Sequence, residues 1–176
     1  MFSAWPRETQ GNRMLRADET RNTPPYPAYA AIVGVFGGGL AAAGGLAHLL
    51  GRDPREGSAL DLVVLAAATF KAARTITDDE VTSFLRAPFV EGEAHSGDDE
   101  EPKETGDLQQ AIGELVTCSR CIGTWAAAGL ATAQILAPRT GRILTWTLAA
   151  AGANDFLQAA FAALTSKSNE LEQRVS

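Results

Sequence analysis

The sequence predicts an all-α integral membrane protein with about four transmembrane helices and one short interfacial helix. Three observations carry that class. Residues 28–50 contain no Asp, Glu, Lys or Arg. Two later stretches, 121–137 and 141–164, hold only Arg142 and Asp155 as charges. The apolar residues are mainly Ala, Leu and Gly, and small residues let helix backbones approach closely in a bilayer. Mean hydropathy of -0.04 hides this pattern, because the charges gather into the chain ends and one internal segment. A length of 176 residues suits about one domain, and a net charge of -6 argues against a general nucleic-acid surface.

Residues 1–27 are expected to be a disordered polar tail. Arg7, Arg13, Arg16 and Arg21 mix with Glu8, Asp18 and Glu19, and Pro24, Pro25 and Pro27 close the segment. The basic-then-apolar plan of a signal peptide is missing there. Residues 28–50 then read as an extra transmembrane helix of roughly 34 Å, against a bilayer core of about 30 Å. Tyr26 and Tyr29 suit an interfacial anchor. The pairs Gly34/Gly38, Gly37/Ala41 and Gly39/Ala43 predict a helix-contact face. His48 falls near the end of this helix, where an interfacial place is expected.

Residues 58–164 are expected to form a three-helix membrane domain. Ser58 is a helix cap, and Asp61 three residues later makes a near capping box. The helix from 58 to 76 is free of charge only over 62–70, so its neighbours must shield it. Lys71 and Arg74 share a face within two turns of its end, where long side chains can lift their charges to the interface. Residues 77–110 read as a hydrophilic loop, mobile over about 91–106, ending in the solvated acidic run Asp98-Asp99-Glu100-Glu101. Within it, Val81, Phe84, Leu85 and Phe89 suggest the apolar side of a short surface helix. Leu108, Ile112, Leu115 and Val116 predict the interfacial helix over 107–117. The next helix is expected from near Ser119 to 137, with Pro138 as its stop. The last runs over 141–164, before a polar tail at 165–176.

Basic residues near helix ends set orientation. The N-terminal tail, Lys71, Arg74, Arg86, Lys103, Arg120, Lys167 and Arg174 collect on one side. Arg52, Arg55, Arg139 and Arg142 collect on the other. Both termini, the loop and the cysteines are thereby expected on the cytoplasmic side.

Two features carry chemistry. Asp155 sits well inside the last helix, and a carboxylate there needs a partner or a proton. Lys71 or Arg74 is the natural partner, and an ion pair that fixes helix register is the expected role. Asn154 and Gln158 can extend the polar stripe. The second feature is Cys118-Ser-Arg-Cys121, which leaves three readings open. A helix N-terminus and Arg120 would favour a redox-active thiolate. Two thiolates can bind metal, but zinc wants four ligands, so Glu114, Asp155 or a second subunit would have to contribute. The third reading is two small residues packing at a helix entrance. A helix extended back through Glu114 would place Glu114, Cys118, Cys121 and Trp125 on one stripe.

Laid out in order, these segments resemble the bacterial family catalogued as domain of unknown function 1360. The resemblance rests on Ala68-Thr69-Phe70-Lys71-Ala72-Ala73-Arg74, on the run from Asp79 through Val81-Thr82 and Arg86 to Pro88, and on Glu114-Leu-Val-Thr-Cys118-Ser-Arg-Cys121-Ile-Gly-Thr-Trp125. Asp155 matches an acidic residue of the family's last helix. Lys71 stands where Arg is usual. Ser119 stands where Pro is common, which distances the pair from redox CPxC sites. The similarity covers about residues 58–164. It implies a multi-pass place in the bacterial cytoplasmic membrane and no established activity. The expected function is a structural or assembly component, without catalytic residues, that meets the lipid bilayer and a protein partner or a second copy of itself. The alternatives are a membrane-embedded thiol-redox or metal site at Cys118 and Cys121, with zinc shared between subunits, and, more weakly, a transport accessory using Asp155.

Overall fold

The computed structural model describes residues 24–52, 58–92 and 100–175, and they are overwhelmingly helical. The expected disordered tail lies almost entirely outside the described residues. So do Asp98 and Asp99 of the acidic run.

Helix α1 spans Tyr26–Leu49, with Pro27 in its first turn. Proline there loses nothing, because the first backbone N–H groups of a helix have no internal partner. The helix ends at Gly51, whose φ of 65° lets the chain reverse and Arg52 N–H reach the Ala47 carbonyl at 2.8 Å. Helix α2 spans Ala59–Thr77 and is opened by a full capping box: the Ser58 hydroxyl accepts from Asp61 N–H, and the Asp61 carboxylate accepts from Ser58 N–H.

A one-turn 3-10 helix at Glu80–Thr82, a short α3 at Ser83–Arg86 and a two-stranded antiparallel ladder follow. In the ladder, β1 (Val90–Glu91) pairs Val90 with Pro102 and Glu91 with Glu101 of β2 (Glu101–Pro102). Helix α4 spans Leu108–Thr117, α5 spans Ser119–Leu136, and α6 spans Pro138–Val175.

Helices α2, α5 and α6 make the core. Val64 and Ala68 of α2, Leu130 of α5 and Ala149 of α6 are buried together, with Leu65, Ala67 and Leu148 packed against them. Helix α1 leans on α5, where the Phe36 and Trp125 rings meet edge-on at 5.0 Å. The 3-10 turn and α3 pack against α2, and α4 packs against β2, α2 and α5. There Gly113 has a steric task. A Cβ at that position would lie 2.5 Å from the Phe89 carbonyl oxygen, so α4 approaches the ladder only because the side chain is absent.

Four differences from the sequence reading have physical causes. The last helix does not stop at 164: it continues through the polar tail to Val175. No Gly or Pro interrupts residues 153–176, and Glu170 pairs with Lys167 at 3.0 Å and with Arg174 one turn on. The glycines of α1 do not form its contact face. Nothing lies within 4 Å of where a Cβ would sit on Gly34, Gly37, Gly38 or Gly39, and contact with the rest of the chain runs instead through Tyr29, Phe36 and Ala47. Glu114 and Cys118 are not on one helix, because Cys118 is extended at φ -100° and ψ 102° and separates α4 from α5. Glu100, expected in solvent, is buried.

Of the four stretches read as spanning, α1 alone among the described helices combines the length and apolarity to cross a bilayer. Lys71 and Arg74 in α2, and Arg120, Thr and Gln in α5, dilute helices already rich in Ala.

Candidate functional site

The residues singled out from the sequence fall into three neighbouring places, not one. At the first, Cys118 and Cys121 are joined as a disulfide with their Cα atoms 5.2 Å apart. Cys118 is the N-cap of α5. Its carbonyl accepts from the N–H groups of Cys121 and Ile122, each at 3.0 Å, and its sulfur accepts from Cys121 N–H at 3.3 Å. This is how a capping side chain normally serves a helix start, with sulfur in the place of a hydroxyl. Cys118 is half-buried and Cys121 exposed.

Cys121 lines a cleft of about 190 Å³ whose other walls include Tyr29, Ile32 and Val33 of α1 and Ala111, Glu114 and Leu115 of α4. Glu114 is held there by two donors. The Tyr29 hydroxyl donates to one carboxylate oxygen, and Gln110 Nε2 donates to the other at 2.9 Å. Gln110 is itself fixed, since its Oε1 accepts from Gly106 N–H at 2.9 Å. Tyr29 therefore ties α1 to the helix that precedes the cysteines.

At the second place, Lys71 Nζ lies 2.9 Å from Asp155 and 3.9 Å from Asp79. Arg74 turns away and pairs with Asp78 at 2.6 Å, one helical turn on. Phe70 and Phe156 stack at 5.3 Å beside the Lys71–Asp155 pair. Asn154 and Gln158 are exposed.

The third place drew no site assignment from the sequence. Arg86 is 0% exposed. Its Nε donates to Glu100 Oε2 at 2.6 Å and its Nη2 to Glu100 Oε1 at 3.0 Å, a bidentate pair. Its Nη1 donates to the Ile76 carbonyl at 2.7 Å, the Asp79 carbonyl at 3.1 Å and the Thr82 hydroxyl at 3.0 Å. One guanidinium thus closes the C-terminal end of α2, the 3-10 turn and the strand ladder together. The hydrogen bond to Glu100 holds the Arg86 pKa above its ordinary value, against the opposing effect of burial. The one signal for it in the sequence was its place in the Val81-Thr82 to Pro88 run. Nearby, Asp107 caps α4. The Thr105 hydroxyl and then the Gln109 N–H hold its carboxyl below the usual carboxylate range.

Among the described residues, no group of three or more His, Cys, Asp or Glu gathers where a metal ion could be held. A zinc ion would need both sulfurs reduced and further donors from a second copy. His48 lies at the mouth of a groove between α1 and α5, and His95 is outside the described residues.

An all-α chain whose sequence motifs gather around the turn from α2 and the entrance to α5 defines a small helical family. The chain belongs to the family described as protein of unknown function DUF1360, whose model matches residues 64–161. Two Bacillus subtilis (strain 168) proteins are similar. UPF0713 protein YngL is 27% identical over 103 residues, which is 58% of this chain and 79% of that protein. Sporulation protein YjcA is 33% identical over 99 residues, which is 53% of this chain and 83% of that protein. No solved structure matches. Arg86, Lys71, Asp155, Glu114 and both cysteines lie within the matched region, whereas Tyr29 lies outside it.

Proposed function

We propose that this chain is a multi-pass protein of the bacterial cytoplasmic membrane, with both termini in the cytoplasm, and that it acts as a structural or assembly component through protein partners. One observation carries the reading. Among the described residues the largest fully buried side chains are Arg86 and Thr145, while Val33, Val35, Leu62, Val63, Ile143, Phe156, Leu157 and Phe161 are all exposed. A water-soluble protein of this size places its large apolar side chains inside and its charges outside. The reverse pattern on α1, α2 and α6 suits hydrocarbon around the bundle and small residues between its helices. The two basic side chains of α2, Lys71 and Arg74, lie near its C-terminal end, where the Lys71–Asp155 pair can sit at the membrane boundary.

The assembly part rests on α6. Residues 153–174 are exposed along a helix that continues past the core. Beyond the side chains read above as facing hydrocarbon, Leu164 and Leu171 recur on it seven residues apart and keep one stripe, as a partner-binding helix requires.

Membrane fractionation with reporter fusions tests the topology. The protein should stay in the membrane at alkaline pH and leave it only with detergent. Fusions after residues 105 and 176 should report cytoplasm, and a fusion after 138 the opposite side. Release by alkali, or all three reporters on one side, overturns the multi-pass reading. A photo-crosslinking residue at Leu171 tests the assembly role. A covalent adduct with a second copy or another protein is expected, and a monomer alone contradicts it.

A further inference from the structure

We infer that Cys118 and Cys121 are an exchangeable dithiol–disulfide pair that takes two electrons from a protein dithiol, with Glu114 holding the proton at the cleft. Three observations meet here. The two sulfurs are bonded to each other within one turn of a helix start. The two cysteines differ in access, Cys121 exposed and Cys118 half-buried. The cleft beside Cys121 carries a carboxylate, Glu114, already positioned by Tyr29 and Gln110.

The asymmetry assigns the steps. An incoming thiolate reaches the exposed Cys121 sulfur and bonds to it, and the Cys118–Cys121 bond breaks. The electron pair leaves on Cys118. That sulfur is the better leaving group, because it caps α5, accepts the Cys121 N–H and stands against the positive end of the helix. The partner's second thiol then gives its proton to Glu114. As a thiolate it attacks the partner sulfur of the mixed disulfide, and Cys121 leaves as a thiolate and takes the proton back from Glu114. Cys118 is protonated from solvent, which had received the proton of the first partner thiol. One partner dithiol becomes a disulfide and the pair becomes a dithiol, so atoms, protons and electrons balance.

The apolar walls Ile32, Val33 and Leu115 suit a peptide segment around the partner's thiol better than a small charged thiol. Only the compartment rests on the topology proposed above. At a cytoplasmic face a disulfide is transient and serves catalysis or sensing, so exchange is the use such a pair has there.

The experiment uses the purified full-length protein in detergent micelles. Its disulfide is followed by thiol labelling and mass, with dithiothreitol as the dithiol and mixtures of reduced and oxidised glutathione as the buffer. The wild-type pair should pass from disulfide to dithiol as the glutathione ratio is varied. Glu114→Gln should slow resolution of the mixed disulfide between Cys121 and dithiothreitol by about 10-fold or more and flatten the pH profile of that step, while Glu114→Asp restores much of both. With one cysteine removed and at a pH where both thiols are ionised, Ellman's reagent should label Cys121 in Cys118→Ser about 10-fold faster than Cys118 in Cys121→Ser. A pair that stays disulfide in millimolar reduced glutathione overturns the inference, as does a reduced pair that copurifies with stoichiometric zinc. Equal labelling of the two cysteines overturns the assigned order of attack. An unchanged rate and pH profile in Glu114→Gln, with wild-type melting, removes Glu114 from the site. None of these outcomes depends on how many helices span the membrane.

Discussion

Two ion pairs in this molecule look alike on paper and differ in kind. Arg86–Glu100 has side chains only 1% and 1% exposed, and Lys71–Asp155 has side chains 20% and 45% exposed. Both are close, at 2.6 Å and 2.9 Å. The first is also surrounded by acceptors: two backbone carbonyls and the Thr82 hydroxyl take the third guanidinium nitrogen. The second joins two helices at one point and shares Lys71 with Asp79. A dry, fully partnered pair determines where three segments of backbone sit. A wet pair selects between nearby helix registers and stabilises little beyond that.

The largest effect should follow from breaking the dry pair. Arg86→Met leaves Glu100 buried without its partner, removes the side-chain donor to the Ile76 carbonyl and takes one of three donors from the Asp79 carbonyl, which keeps the Thr82 N–H and hydroxyl. Removing one member of such a pair costs about 3–5 kcal/mol. Thermal melting in micelles should show this loss, and Arg86→Met with Glu100→Leu should recover most of it. If the double variant is no better than the single one, the carbonyl contacts and not the buried carboxylate carry the effect.

That pair also marks what the sequence could and could not reveal. Helix ends were readable wherever the chain has local punctuation: Ser58 with Asp61, Pro27 at the start of α1, and Pro138 between α5 and α6. Arg86 and Glu100 are fourteen residues apart, inside a run whose composition is that of a solvated loop. Nothing local distinguishes a charged residue in water from one buried with five hydrogen bonds to make. The α1 contact face was misplaced for a related reason. Small-xxx-small spacing says that a close approach is possible, whereas the approach itself is decided by Tyr29 meeting Glu114 and Phe36 meeting Trp125. The cysteine site was half legible. Its spacing was plain, but Glu114 reaches the same cleft across a break in the helix, because α4 and α5 fold back around the extended Cys118.

A second, intermediate effect sharpens the contrast by probing the wall of the dry site. Gly113→Ala would place a Cβ 2.5 Å from the Phe89 carbonyl oxygen and 3.2 Å from Pro102 Cβ. Backbone on one side and a proline ring on the other cannot move as a side chain can. Overpacking of this kind costs about 1–3 kcal/mol. The ladder that follows Glu100 should loosen with it, so amide exchange at Lys103 should quicken. Lys103 N–H, which donates to Phe89 O at 3.0 Å, is the direct reporter. Unchanged exchange there would mean that the ladder does not depend on its packing against α4.

The smallest effect should come from the wet pair, and its smallness is the point of the measurement. Lys71→Met keeps most of the side chain's apolar length and removes the charge. Asp155 is left nearly half exposed, so at the membrane boundary proposed above water or lipid headgroups can solvate it, and Lys71 has no backbone partner to orphan. The loss should stay under about 1 kcal/mol in micelles, the range of exposed ion pairs. Asp155→Asn should behave the same way, and the double variant should not differ from either single variant by more than a few tenths of a kcal/mol. A loss on the scale of the Arg86 variant would show that Asp155 is held in a drier place than its exposure indicates. Its pairing with Lys71 would then be part of what holds α2 against α6, as firmly as Arg86 holds the turn.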